Sequence, residues 1–162
     1  MISKYIVPNL NFPLILIMIS FQIQSAVTVP DQCKSYNVLN NPKRKMSYVL
    51  PDRNKGYHCD KASMKHLSPD WKGTGWYRVQ EPAGSRIPDT PTEENHCGSH
   101  ISGWIQGNHP SLVGEEKNAK VCFSYQNKDC RWSGSVKILH CDSYFLYYLT
   151  ETPVCHASYC TI

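Results

Sequence analysis

Val136-Lys137-Ile138-Leu139-His140-Cys141-Asp142-Ser143-Tyr144-Phe145-Leu146-Tyr147-Tyr148-Leu149 is a pair of β-forming runs around a short polar break. The runs are β-branched, aliphatic or aromatic, and His140 to Ser143 has turn character, so the stretch predicts a β-hairpin. Strand side chains alternate between faces. Tyr144, Leu146 and Tyr148 therefore share one side of the second strand, and Phe145, Tyr147 and Leu149 share the other. Both sides are apolar or aromatic, which predicts a strand covered on both faces.

Outward from this hairpin, two further strands are expected. Trp76-Tyr77-Arg78-Val79 follows Gly73 and Gly75, and Lys120 to Tyr125 alternates in polarity. Helical periodicity is scarce, and Asp60 to Leu67 offers at most one short turn. Eleven prolines and nine glycines punctuate the remainder. The expected fold class is a β-rich, small, disulfide-stapled single domain with long loops and one short helix.

The word disulfide rests on two features read together. Eight cysteines occur, Cys33, Cys59, Cys97, Cys122, Cys130, Cys141, Cys155 and Cys160, all downstream of an apolar leader. In that leader Lys4 is the only charge before Asp31, and Phe12 to Phe21 forms an apolar run ahead of Ser25-Ala26. That is the layout of a secretory signal peptide, and Pro8, Asn9, Asn11 and Pro13 keep the run short of a membrane span. Residues 1–26 are read as the signal and 27–162 as one domain, which an oxidising compartment would cross-link. No later stretch is apolar enough to anchor the chain, so a secreted, extracellular protein without a membrane anchor is expected.

Composition and motifs exclude several functions. The net charge of +4 falls to +3 once Lys4 leaves with the signal, too mild to predict nucleic-acid binding. Lys43-Arg44-Lys45 is the densest basic run and lies in a Pro/Asn-rich loop, where solvated charge is the plain reading. Cys97-Gly98-Ser99-His100 has a C-x-x-H spacing, but no second close ligand pair accompanies it, so no metal and no cofactor is expected. There is no H-E-x-x-H, no G-x-S-x-G and no phosphate-cradling glycine loop. Glu93-Glu94 sits in a polar loop without an identifiable catalytic partner, and an enzyme is not expected.

The residues between the cysteines carry a resemblance. Cys33-Lys34-Ser35-Tyr36-Asn37-Val38-Leu39 with Pro42 and Arg44, then Cys59-Asp60 and Gly75-Trp76-Tyr77-Arg78-Val79, are similar to the opening of the eight-cysteine domain of the uromodulin family. Gly84 to Pro88, Cys97 to His100, Trp104 to Pro110, Gly114-Glu115, Cys130-Arg131-Trp132, Tyr144 to Leu149, Pro153-Val154-Cys155 and Tyr159-Cys160 continue it to the end. The resemblance implies the pairing Cys33 with Cys141, Cys59 with Cys155, Cys97 with Cys160, and Cys122 with Cys130. The family's namesake has two more cysteines, bonded to each other, and this chain would lack that bridge near Pro91 and at Asp129. About ten residues between Asp60 and Gly75, including Trp71, are extra relative to the family.

Function follows less directly than fold. In the namesake, the module displays an N-glycan that bacterial fimbrial lectins capture. Here Tyr148-Leu149-Thr150 stands at that position, and no Asn-x-Ser/Thr motif occurs in the chain. The expectation is a non-enzymatic extracellular recognition or matrix-interaction module that binds a protein partner through loops. Its candidate surface is Trp71, Trp104 and the loops from Lys43 to Tyr57, with Lys43, Arg44 and Lys45. Core packing is the competing reading of the tryptophans, stronger for Trp76 and Trp104 than for Trp71. A lectin-like carbohydrate binder using aromatic platforms, or a passive component of mucus or matrix, are the alternatives. A monomer is expected, unless the chain is part of a longer product.

Overall fold

A computed structural model describes residues 29–52, 57–64 and 66–162. The expected signal segment lies outside the described residues. Among the described residues, seven strands form one sheet: β1 (Asn37–Leu39), β2 (Gly75–Val79), β3 (Ile101–Gln106), β4 (Glu116–Tyr125), β5 (Lys128–Cys141), β6 (Tyr144–Leu149) and β7 (Ala157–Tyr159). Their order across the sheet is β1-β2-β6-β5-β4-β3-β7. β3 to β6 are consecutive antiparallel neighbours, β2 joins β6 antiparallel, and the two edges, β1 on β2 and β7 on β3, are parallel. Both edge strands have three residues, which limits the unpaired backbone offered to another chain.

The hairpin expected from the opening stretch is β5–β6, with Cys141 opposite Tyr144 and Lys137 opposite Tyr148. Its main-core face is covered, and the opposite face is covered only around Leu139, Cys141 and Leu146. Tyr147 and Leu149 join Tyr77, Val79, Ile105, Val121, Phe123, Val136, Ile138 and Tyr159 in the main core. Leu146 packs on the opposite face with Leu139 and the Cys33 and Cys141 sulfurs, under Tyr36, Trp76 and Tyr144. Among the described residues there are three 3-10 turns in place of one short helix, Asp31–Lys34, Pro42–Arg44 and Ala62–Met64. Runs this short cannot sustain a helix without packing, and the loops here are held by bridges.

The sulfur pairs are Cys33–Cys141, Cys59–Cys155, Cys97–Cys160 and Cys122–Cys130, and no cysteine is free. The first fastens the N-terminal turn to the far end of β5. The next two tie the loops at Cys59 and Cys97 to the C-terminal segment. The last spans the β4–β5 hairpin. The C-terminus is also held by backbone: the Ser85 and Arg86 N–H groups donate to the Ile162 carbonyl at 2.7 and 3.2 Å. Gly84 sits at φ 107° beside it, where a Cβ would run into Ile162, so both the dihedral and the space require glycine. Among the described residues, no helix is long and apolar enough to cross a membrane.

Candidate functional site

The expected contact residues separate into buried and exposed sets. Trp71 is fully buried, its indole parallel to the Tyr77 ring with centroids 4.9 Å apart and an interplanar angle of 4°. The Tyr77 hydroxyl donates to the Gly73 carbonyl at 2.5 Å and accepts from the Lys72 N–H at 2.8 Å. The extra segment thus ends by laying Trp71 into the main core, and Trp71 is corrected from contact surface to core. Trp104 is also buried, its indole N–H shared between the Ser124 hydroxyl at 3.1 Å and the Asp129 carbonyl at 2.8 Å. Alternation on β3 puts it on the face away from Ile105, and its bond to Ser124 lays it over β4 and removes it from the surface too.

Arg44 is the third correction. It is fully buried, and its guanidinium binds two carboxylates. Nη1 and Nη2 donate to the two Asp60 oxygens, each at 2.8 Å, while Nε and Nη2 donate to Asp70 at 2.8 and 2.7 Å. The carboxylates are themselves used further. Asp60 accepts the Tyr159 N–H at 2.9 Å, and Asp70 accepts the Asn40 and Asn41 N–H groups at 3.2 and 3.0 Å. Burial alone would disfavour charge on Arg44, but the pull of Asp60 and Asp70 outweighs it and raises the guanidinium pKa. Asp70 is likewise pushed up by burial, yet its bonds to Arg44 hold its carboxyl below the usual range.

Beside this cluster lies His58, also buried. Its Nε2 is 3.3 Å from the Asn41 amide nitrogen, and its Nδ1 has no hydrogen-bond partner. Desolvation, reinforced by the nearby Arg44 charge, pushes its pKa down to about 4, so it is neutral at physiological pH.

The ion cluster fixes the loop that leads away from it. Pro42–Arg44 is a 3-10 turn capped by the Asn41 side chain, which accepts from the Lys43 N–H at 3.1 Å. Further on, the Met46 N–H donates to Thr161 O at 2.8 Å, the Leu50 N–H to Asn95 O at 2.8 Å, and the Cys97 N–H to Tyr48 O at 3.0 Å. With Arg44 drawn inward, Lys43 is exposed, Lys45 is half-buried and 3.7 Å from Glu81, and Val49 is 59% exposed. Residues 53–56 of the expected loop surface lie outside the described residues.

A second exposed feature was not among the expected contacts. Trp76 on β2 and Tyr148 on β6 are paired across the sheet face opposite the main core, both half-buried, with ring centroids 5.4 Å apart at 71°. They line a shallow groove of about 380 Å³ with Gln32, Lys137 and Glu116, the last two ion-paired at 2.9 Å. Two residues along β2 on the same face, Arg78 lies 3.7 Å over the Tyr144 ring centroid and donates to the Tyr36 hydroxyl at 3.1 Å. Among the described residues no carboxylate pairs with Arg78. Alternation on β2 was the signal that could have placed Trp76 outward, because Tyr77 and Val79 take the inward positions.

The described site residues form no catalytic constellation: the buried carboxylates are occupied by Arg44 and backbone N–H groups. Among the described residues, no three His, Cys, Asp or Glu side chains are arranged to hold a metal ion. Such a scaffold defines a class, the small extracellular-type β domain held by disulfides that offers loops and an open sheet face. Within that class, residues 77–161 match the family of uromodulin-like eight-cysteine domains, and the chain belongs to it. It is 30% identical over 135 residues to the pancreatic secretory granule membrane major glycoprotein GP2 of Rattus norvegicus, covering 81% of this chain and 23% of that protein. It is 29% identical over 132 residues to uromodulin of Mus musculus, covering 81% of this chain and 18% of that protein. GP2 of Homo sapiens is 29% identical over 133 residues, with 82% and 22% covered. The chain thus spans less than a quarter of the length of these relatives.

Proposed function

We propose that the chain is a non-enzymatic extracellular recognition module that binds a protein partner through the loop from Lys43 to Pro51. The observation that carries this is the burial of Arg44 between Asp60 and Asp70, which anchors an otherwise irregular segment from beneath. An anchored loop loses little conformational freedom on binding, so contacts made by Lys43, Tyr48 and Val49 translate into affinity instead of being offset by ordering. Backbone bonds to Asn95, Thr161 and Cys97 hold the same loop from the side.

The test is binding of the purified, disulfide-intact chain to an arrayed set of extracellular protein ectodomains. At least one saturable partner is expected, weakened about tenfold or more by Val49→Asp or Lys43→Glu. Arg44→Met should weaken the same partner while hydrogen-exchange protection falls at residues 43–51. Absence of any saturable protein partner, or a partner indifferent to all three substitutions, overturns the reading.

A further inference from the structure

We propose that the open sheet face is a second, separate binding site, which takes a carboxylated pyranose at Trp76, Tyr148 and Arg78. Its location on β2 and β6 is independent of the loop from Lys43 to Pro51, and it neither needs nor excludes a protein partner there.

The occupant follows from what the groove offers. Trp76 and Tyr148 are half-buried and leave part of their ring surface open in a cross-strand pair. A pyranose ring has a face of C–H groups that covers such a surface at low entropic cost. Around the rings stand groups suited to hydroxyls: the Gln32 amide, the Lys137 ammonium and the Glu116 carboxylate. Asn118, Lys120, Ser133 and Ser135 continue the exposed polar surface on β4 and β5. A protein interface would want a wider apolar, charge-depleted centre than this aromatic pair supplies. The groove is also shallow, unlike the enclosed sites that hold small apolar ligands.

The carboxylate is assigned by charge. Arg78 is a permanent cation whose contacts are a phenol hydroxyl and aromatic faces, which attract it without neutralising it. Its planar fork matches a carboxylate. Glu116 stands on β4, three strand spacings from β2, roughly 14 Å away by the usual separation of strands. The groove itself is ion-paired at its β5–β4 end, and Arg78 adds an unneutralised positive charge beside it, two residues from Trp76 along β2. A carboxylated sugar is oriented by it, with the acid group toward Arg78.

The experiment titrates the disulfide-intact, isotope-labelled chain with 3′-sialyllactose, a glucuronic-acid-terminated disaccharide, the methyl ester of each, lactose and 3′-sulfolactose. The Trp76 indole N–H resonance is the readout. Saturable shifts with at least one carboxylated sugar are expected, and which of the two binds names the source of the acid group. Its methyl ester and lactose should bind about tenfold or more weakly, as loss of a charged hydrogen bond implies. Arg78→Gln should reduce the carboxylated sugar to the level of lactose, and Tyr148→Ala, which keeps the reporting indole, should abolish both. Met64→Ser, at an exposed side chain outside the groove lining, should change nothing. The ester comparison leaves the protein untouched, so it decides the matter even where Arg78→Gln unfolds the chain. No saturable shift with either acid, equal binding of acid and ester, or equally tight binding of 3′-sulfolactose overturns the assignment.

Discussion

Arg44 lies between two lysines in sequence and between two carboxylates in space. Nothing local separates it from its neighbours: all three are cations in a Pro/Asn-rich loop, and its partners Asp60 and Asp70 are 16 and 26 residues away. Long-range pairing of this kind leaves no periodic trace, which is why Lys43 and Arg44 looked alike from sequence. Trp71 was hidden for a related reason. A segment read as extra to the family looks like surface, yet its indole stacks on Tyr77. The cluster makes one behaviour testable. His58 is neutral when folded because its pKa falls to about 4, whereas the unfolded imidazole titrates near 6.5. Between those values the unfolded chain binds more protons, so stability is full above about pH 6.5 and declines as pH falls toward 4. Asp70, whose carboxyl is held low, adds a further loss at more acid pH. Urea unfolding at pH 7 and pH 4.5 should differ by about 2 kcal/mol, the part of the shift that falls between those two pH values. His58→Phe should remove most of that difference, and an unchanged pH slope in this variant would sink the assignment.

At the scale of elements, the β4–β5 hairpin shows where strand reading ran short. Lys120 to Tyr125 and Val136 to Leu139 were legible as strands from their apolar content. The stretch between, Lys128 to Ser135, is polar and contains Gly134, yet it belongs to β5 because it pairs with β4 on one side. The connection is Gln126-Asn127, without the Asn-Gly signature of a tight hairpin turn. Both residues have positive φ, 51° and 56°, and the Gln126 N–H donates to Glu94 at 2.6 Å. A glutamine in the left-handed region is held there by its surroundings, with Cys122–Cys130 closing the hairpin eight residues apart. Asparagine tolerates that conformation better, and a β-branched residue tolerates it worst. Gln126→Asn should therefore stabilise the chain by a few tenths of a kcal/mol, since its backbone N–H still reaches Glu94. Gln126→Val should destabilise it by about 1 to 2 kcal/mol. Denaturant midpoints in the reverse order would mean that the turn is not the strained element described.

For the whole molecule, the leader, the eight cysteines and the aromatic hairpin made the class legible, whereas spacing alone left the cysteine pairing open. Pairing depends on which loops the sheet order brings together, and the order β1-β2-β6-β5-β4-β3-β7 crosses the chain several times. Family resemblance supplied what periodicity could not. The bridges are also unequal in reach. Cys33–Cys141 closes a separation of 108 residues and Cys122–Cys130 one of 8. Taken singly, the entropy that a cross-link removes from the unfolded chain is worth about 4.8 kcal/mol for the long closure and about 2.6 kcal/mol for the short one. The other bridges shorten the long loop and reduce that gap, but they do not invert it. Cys33→Ser with Cys141→Ser also exposes the small second core around Leu139 and Leu146, which that bridge covers. Loss of the long bridge should therefore lower the urea midpoint more than Cys122→Ser with Cys130→Ser, whose hairpin retains its ladder of backbone bonds. Alkylation of the unreduced wild-type chain should leave its mass unchanged, and peptide mapping should join Cys122 to Cys130. A larger midpoint loss for the short bridge, or any alkylated cysteine in the wild type, would show that the sheet is not held together in the way its topology requires.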